Sequence, residues 1–217
     1  MTRTEGSAMN DEDILSDSDF KRCVEFHGHV CPGLAIGFQA ARILMDKLGV
    51  QKASDEELLA FVENDACGVD AIQVMTGCSF GKGNLIFKNH GKHAFTLVAR
   101  KRRDAFRACL RPDVFKPDPE HLALFEKVQQ GDSSPAETTR FKELQMKRTR
   151  EVLTADPETL FKVGEISIDI PPKARITESA PCDLCGESTK VDLLCEIGGQ
   201  RLCIPCAQSP APEAREQ

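Results

Sequence analysis

At 217 residues, with 41% apolar and 29% charged side chains, the chain has the length of one medium domain, or of one domain with a small appended module. Its 28 basic and 34 acidic residues leave a formal charge of −6, which argues against nucleic-acid binding by net charge. No apolar run approaches the roughly 18 residues that a membrane span requires, and the acidic first 20 residues lack the basic start and apolar stretch of a signal peptide. The expected compartment is the cytoplasm, where the ten cysteines are expected as metal ligands or reactive thiols ahead of disulfides.

In chain order, residues 1–16 are expected as a mobile acidic tail. A helix starts at Asp17 or Ser18, carries the stripe Phe20, Cys23, Val24 and His27, and stops at Gly28. Pro32 suits the first position of a second helix that runs to about Leu48 and ends at Gly49. That helix is apolar on most sides and reads as buried. Its Gly33-Gly37-Ala41 row would let another backbone approach closely, and predicts a homodimer. Residues 54–63 are ambiguous: Ser54 and Glu57 fit a capping box, whereas Leu58 to Val62 fit a buried strand. A short helix follows Cys67 and closes at Gly77. Strands are expected at 85–88 and 94–100, flanking a turn at 89–92, and at 105–111.

Asp118-Pro119, Ser134-Pro135 and Asp156-Pro157 each place an N-cap before a proline, predicting helices over 119–130, 135–153 and 157–163. Ile166, Ile168 and Ile170 alternate as a strand. The chain therefore divides into a core at 17–130, a helical connector and strand at 131–175, a cysteine-rich module at 176–208 and a disordered tail at 209–217. The fold class is α+β.

Cys182-x-x-Cys185 and Cys203-x-x-Cys206 are separated by 17 residues. Each pair can bend around one ion, and four thiolates form the tetrahedron that Zn²⁺ accepts. The segment between reads as a hairpin turning at Gly198-Gly199, so the module is expected as a zinc ribbon whose closed ion is structural. A redox dithiol is the competing reading, but no thioredoxin-like βαβ pattern surrounds either pair. Cys195 is expected as a packed thiol.

The run His27-Gly28-His29-Val30-Cys31-Pro32-Gly33 is a second concentration of ligand types. In an extended link His29 and Cys31 point the same way, with His27 nearby. Cys31 and Cys67 both stand at helix N-termini, where the dipole and free N–H groups favour thiolate. Cys78 follows the helix after Cys67. His27, His29, Cys31, Cys67 and Cys78 are thus candidate ligands for Zn²⁺ or another transition metal. The alternatives are core packing of His27, Cys67 and Cys78, or a cysteine nucleophile with His27 or His29 as base to Cys31 or Cys67.

Two other signals fade. Gly77-Cys78-Ser79-Phe80-Gly81-Lys82 is one residue short of a phosphate-binding P-loop, and precedes a strand instead of following one. Arg100, Lys101, Arg102, Arg103, Arg107 and Arg111 form a basic hairpin, usually a solvated edge.

The stretches Phe26-His27-Gly28-His29-Val30-Cys31-Pro32-Gly33-Leu34-Ala35-Ile36-Gly37 and Glu63-Asn64-Asp65-Ala66-Cys67-Gly68-Val69-Asp70 through Gly77-Cys78-Ser79-Phe80-Gly81-Lys82-Gly83-Asn84-Leu85 resemble the E-subunit family of formylmethanofuran dehydrogenase. The terminal module is similar to one that some members append, and loosely to zinc fingers of the DksA/TraR type. The resemblance implies an α+β core with a metal site near the H-G-H-x-C-P-G and D-x-C motifs. It further implies a zinc- or transition-metal-binding accessory protein, with molybdenum or tungsten oxidoreductase subunits as partners. The chain has no C-x2-C-x2-C ferredoxin run, so it is not expected to perform that chemistry alone. A stand-alone metal- or thiolate-dependent enzyme is the second reading, and a zinc-finger regulator the third.

Overall fold

The computed structural model describes residues 15–112, 114, 118–173 and 177–208; except for Leu15 and Ser16, the tails expected at 1–16 and 209–217 lie outside the described residues. The chain divides into two compact units, Met1–Lys173 and Ala174–Gln217.

The first unit begins with α1 (Ser18–His27), whose first N–H groups are met by the Asp17 side chain and whose end is turned by Gly28 at φ 92°. Helix α2 (Pro32–Leu48) starts on Cys31 as N-cap with Pro32 in its first turn. Every residue from Leu34 to Ala41 is buried, as the apolar sequence requires of a central helix. Strand β1 (Leu58–Val62) is buried on both faces, which resolves the ambiguity over 54–63 in favour of a strand. Ser54 and Glu57 still bond to each other at 3.2 Å, but in the turn before it. After β1 come α3 (Gly68–Thr76), β2 (Leu85–Phe87), β3 (Ala94–Ala99) and β4 (Asp104–Leu110). Then follow α4 (Pro119–Gln130), α5 (Pro135–Thr154), α6 (Pro157–Leu160) and β5 (Phe161–Glu165).

The sheet order is β2-β1-β3-β4-β5, with β1 and β2 parallel and the other pairs antiparallel. The two strands flanking the turn at 89–92 are therefore not partners, because β1 lies between them. The β1-α3-β2 path is a βαβ crossover, and it puts the N-terminus of α3 just beyond the C-terminal end of β1. Helix α2 packs on β3 and β4 on one side and on α3 and α5 on others.

Of the stretch expected as a connector, residues 131–173 lie in the same compact unit as the core. Strand β5 is an edge of the sheet, and α5 is fastened to α2 by the fully buried Gln39. The Gln39 amide nitrogen faces the Val152, Leu153 and Ala155 carbonyls at 3.1, 2.7 and 3.2 Å, groups that the end of α5 leaves without helical partners. The helix expected over 157–163 stops at Leu160, because Phe161 and Val163 pair into the sheet. Ile166, Ile168 and Ile170 are not a strand; they lie along the second face and pack on Leu59, Phe61, Val98 and Ala105.

The basic hairpin is only partly a solvated edge. Arg100 donates to the Pro171 carbonyl at 2.6 Å, and Arg102 pairs with Asp104 at 2.7 Å and reaches the Leu48 carbonyl. Arg107 grips Glu63 through Nε at 2.6 Å and Nη2 at 2.9 Å, and His90 adds a third contact at 3.1 Å. The Arg107 hydrogen bonds hold the Glu63 carboxyl at about 2, against its burial. A carboxyl lowered in the folded state contributes stability above the ordinary value near 4.5, and loses it as pH falls from there toward about 2. Glu63→Gln should cost about 1.5–3 kcal/mol at neutral pH, the usual worth of hydrogen bonds to a charged group. Urea unfolding at a series of pH values checks this: the gap between wild type and variant should shrink through that window and vanish only below its lower end.

The second unit contains β6 (Ser179–Pro181) paired with β7 (Ser188–Lys190), and β8 (Cys195–Ile197) paired with β9 (Gln200–Leu202). The short helix α7 (Ile204–Gln208) follows. The expected hairpin turn is made by Gly198 and Gly199, both at positive φ.

Candidate metal centres

In the first unit the αL turn at Gly28 reverses the chain after α1 and returns Cys31 beneath His27, with His27 Nε2 3.7 Å from Cys31 Sγ. Cys67, at the start of α3, completes the group. The ligand atoms of His27, Cys31 and Cys67 all lie within 4.8 Å of one another.

Glycines set the approach of the helices that carry them. A Cβ on Gly37 would lie 2.0 Å from the Gly68 carbonyl oxygen, and one on Gly33 would lie 3.2 Å from Cys67 Cβ. The small-residue row of α2 therefore receives α3 within the same chain, and it is not a free surface from which to argue a second copy.

His29 stands outside the trio. Its ring lies against that of His27, centroids 4.3 Å apart, because the chain bends at Gly28 instead of running straight. Cys78 is also outside, fully buried at the far end of α3, where burial raises its thiol. The core-packing reading fits Cys78, and an intact helical span separates it from Cys67.

The expectation that Cys31 is already ionised is corrected. Its Sγ does accept the Leu34 N–H at 3.4 Å, but burial, reinforced by the neighbouring Cys67 thiol, pushes it up to about 11. A metal entering the trio must displace that proton. One imidazole and two sulfurs within 4.8 Å of one another are a donor set suited to a borderline or soft transition metal. Three ligands also leave one tetrahedral position open.

In the second unit the ligand atoms of Cys182, Cys185, Cys203 and Cys206 lie within 4.8 Å of one another. The first pair sits on a knuckle closed by Gly186, at φ 77°. Cys203 directly follows β9, and Cys206 is carried on α7, so the second pair opens a helix instead of forming a second knuckle. N–H groups of Cys185 and Cys203 lower the Cys182 thiol to about 6, whereas the crowded neighbouring thiols, Cys203 first, push Cys206 up to about 12. Four sulfurs converging with one already favoured as thiolate is what a closed tetrahedral site needs. Cys195, on β8, is not part of the group.

Fold and donors together define an α+β core with a three-ligand site, followed by a four-cysteine module of zinc-ribbon type. The chain matches the FmdE family, described as molybdenum formylmethanofuran dehydrogenase operon, over residues 26–162, and it belongs to that family. It is 34% identical over 198 residues to a probable S-adenosyl-L-methionine-binding protein of Archaeoglobus fulgidus. That alignment covers 87% of this chain and 52% of the relative, so the chain spans about half the relative's length. The crystal structure of an FmdE-like protein of the tungsten formylmethanofuran dehydrogenase type, from Syntrophus aciditrophicus, superposes with a TM-score of 0.59 at 22% identity. The superposition covers 97% of this chain and all of that one, and shows a common fold. Among the described residues no helix is long and apolar enough to cross a membrane.

Asp70 stands beside the trio and was not singled out in the sequence. Its carboxylate Oδ2 lies 2.7 Å from His27 Nδ1. The available signal was its spacing: three residues after Cys67 on a helix, it shares that cysteine's face.

Proposed function

We propose that the chain is a cytoplasmic metal-binding accessory protein with two ions. One is a structural Zn²⁺ on Cys182, Cys185, Cys203 and Cys206; the other is Zn²⁺ or another transition metal on His27, Cys31 and Cys67. It serves a molybdenum or tungsten oxidoreductase of one-carbon metabolism. The observation that carries the metal reading is the convergence of both donor sets to within 4.8 Å. Family membership supports the oxidoreductase context.

Elemental analysis of the purified chain tests it. Two metals per chain are expected, falling by one in Cys67→Ser and in His27→Ala, and unchanged in His29→Ala and Cys78→Ser. A single metal that survives both of the first two variants would remove the N-terminal site. Co-purification with molybdenum or tungsten components reads the association.

A second reading, a stand-alone enzyme, is favoured by the open fourth position of the three-ligand site. Binding of small thiol or carboxylate ligands to a Co²⁺-substituted protein, seen as a change in its visible spectrum, would support it. Titration with S-adenosyl-L-methionine, the ligand in the name of the Archaeoglobus relative, separates a nucleoside-binding role from both.

A further inference from the structure

We propose that Asp70 is the positioning residue of the N-terminal site: its carboxylate holds His27 in the Nδ1–H tautomer and so turns a bare Nε2 toward the sulfurs of Cys31 and Cys67. The proposal rests on the reading that this trio takes a metal ion.

An ionised carboxylate only accepts hydrogen bonds, so the 2.7 Å contact of Asp70 Oδ2 with His27 requires Nδ1 to be the donor. A neutral imidazole that carries its proton on Nδ1 has its lone pair on Nε2, and that is the nitrogen facing Cys31 Sγ at 3.7 Å. The His27 side chain is only 10% exposed, so water competes little at its ring, while the Asp70 carboxylate is 33% exposed. The ring is fixed from further directions. The His29 ring lies beside it, tilted by 38°, and the Gln73 amide approaches the other Asp70 oxygen at 3.5 Å.

Asp70 lies in the first turn of α3, directly after the stretch that carries Cys67. Helix α3 thus delivers both a sulfur ligand, Cys67, and the group that orients the imidazole ligand from α1. Oriented histidine ligands bind more tightly, and loss of such a partner typically costs about 10–100-fold in metal affinity.

The competing possibility is a plain tie between α1 and α3 with no bearing on the imidazole. Two measurements on the full chain separate them. In metal-free protein labelled with ¹⁵N-histidine at pH 8, long-range ¹H–¹⁵N correlation should show His27 protonated at Nδ1, the signal being assigned by its absence in His27→Ala. In Asp70→Ala the signal should move to the Nε2–H form. Competition of Zn²⁺ with a chromogenic chelator should then show the trio weakened about 10–100-fold in Asp70→Ala, with the four-cysteine site unchanged as internal control.

Asp70→Asn, equal in size, offers either an oxygen or an N–H to Nδ1. It should give mixed tautomers and an intermediate loss, and it carries the test if the alanine variant does not fold. Two metals per wild-type chain with unchanged tautomer and affinity in both variants would overturn the role of Asp70. Only one metal per wild-type chain would overturn the site on which the role rests, and the two failures are read from different numbers.

Discussion

Removing the metal from Cys182, Cys185, Cys203 and Cys206, or replacing Cys182 by Ser, should unfold residues 177–208 while residues 18–165 keep their structure. Among its described residues the second unit has little else to hold it. Its buried apolar cluster is Cys182, Leu202 and Cys203, with Cys206 and Ala207 packed alongside, so the core of the module is largely its own ligands. Leu184, Val191, Leu193, Ile197 and Ile204 are all exposed. Its sheets are two-stranded, with three residues in each strand, a size that does not stand alone in water. Metal binding to such a module supplies about 10–16 kcal/mol, more than the stability of most domains. The first unit has its own large cluster around Phe20, Phe38, Phe95 and Phe161 and needs no such help. Limited proteolysis read by mass spectrometry should show cuts confined to the module; equal cutting in both regions would mean that the two unfold together.

Gly37→Ala should destabilise the first unit by about 3 kcal/mol or more, one of the largest single-residue effects in the chain. The added methyl would lie 2.0 Å from the Gly68 oxygen and 2.4 Å from its Cα, and both are backbone atoms in a helix that cannot turn aside as a side chain can. Relief demands that α2 and α3 separate, against an interior packed like a crystal. The same movement carries Cys67 away from Cys31, so the N-terminal ion should be lost along with stability. Thermal unfolding and elemental analysis of one preparation read both effects. Gly49→Ala is the control: its methyl meets nothing, and only the positive φ of 60° is strained, for a cost of about 1 kcal/mol.

Features encoded by a few adjacent residues were legible in the sequence. Asp17, Asp118 and Asp156 cap helices as their identity suggests, and Ser134 with Glu137 forms the full capping box. The paired cysteines of the terminal module converge as their spacing requires. What escaped depends on distant parts of the chain. The parallel pairing of β1 with β2 is invisible to a pattern that registers only alternation. The boundary expected at 130 was misplaced because α5 and β5 carry no local mark of belonging to the core; Gln39 meets the end of α5 more than 100 residues away. Among the candidate ligands, His27, Cys31 and Cys67 were separable from His29 and Cys78 only by the bend at Gly28 and the length of α3.

The two donor sets differ in how far their chain must travel to make them. The four cysteines of the module fall between residues 182 and 206, close enough to gather around an ion as soon as that stretch leaves the ribosome. His27 and Cys67 are brought together by the packing of α1, α2 and α3, so their cage is complete only once the core has folded. Ion capture and chain collapse are thus a single event at one end of the protein and successive events at the other. An ion taken up by the module should therefore bind as that stretch folds, whereas one taken up by the core should meet donors already held within 4.8 Å of one another.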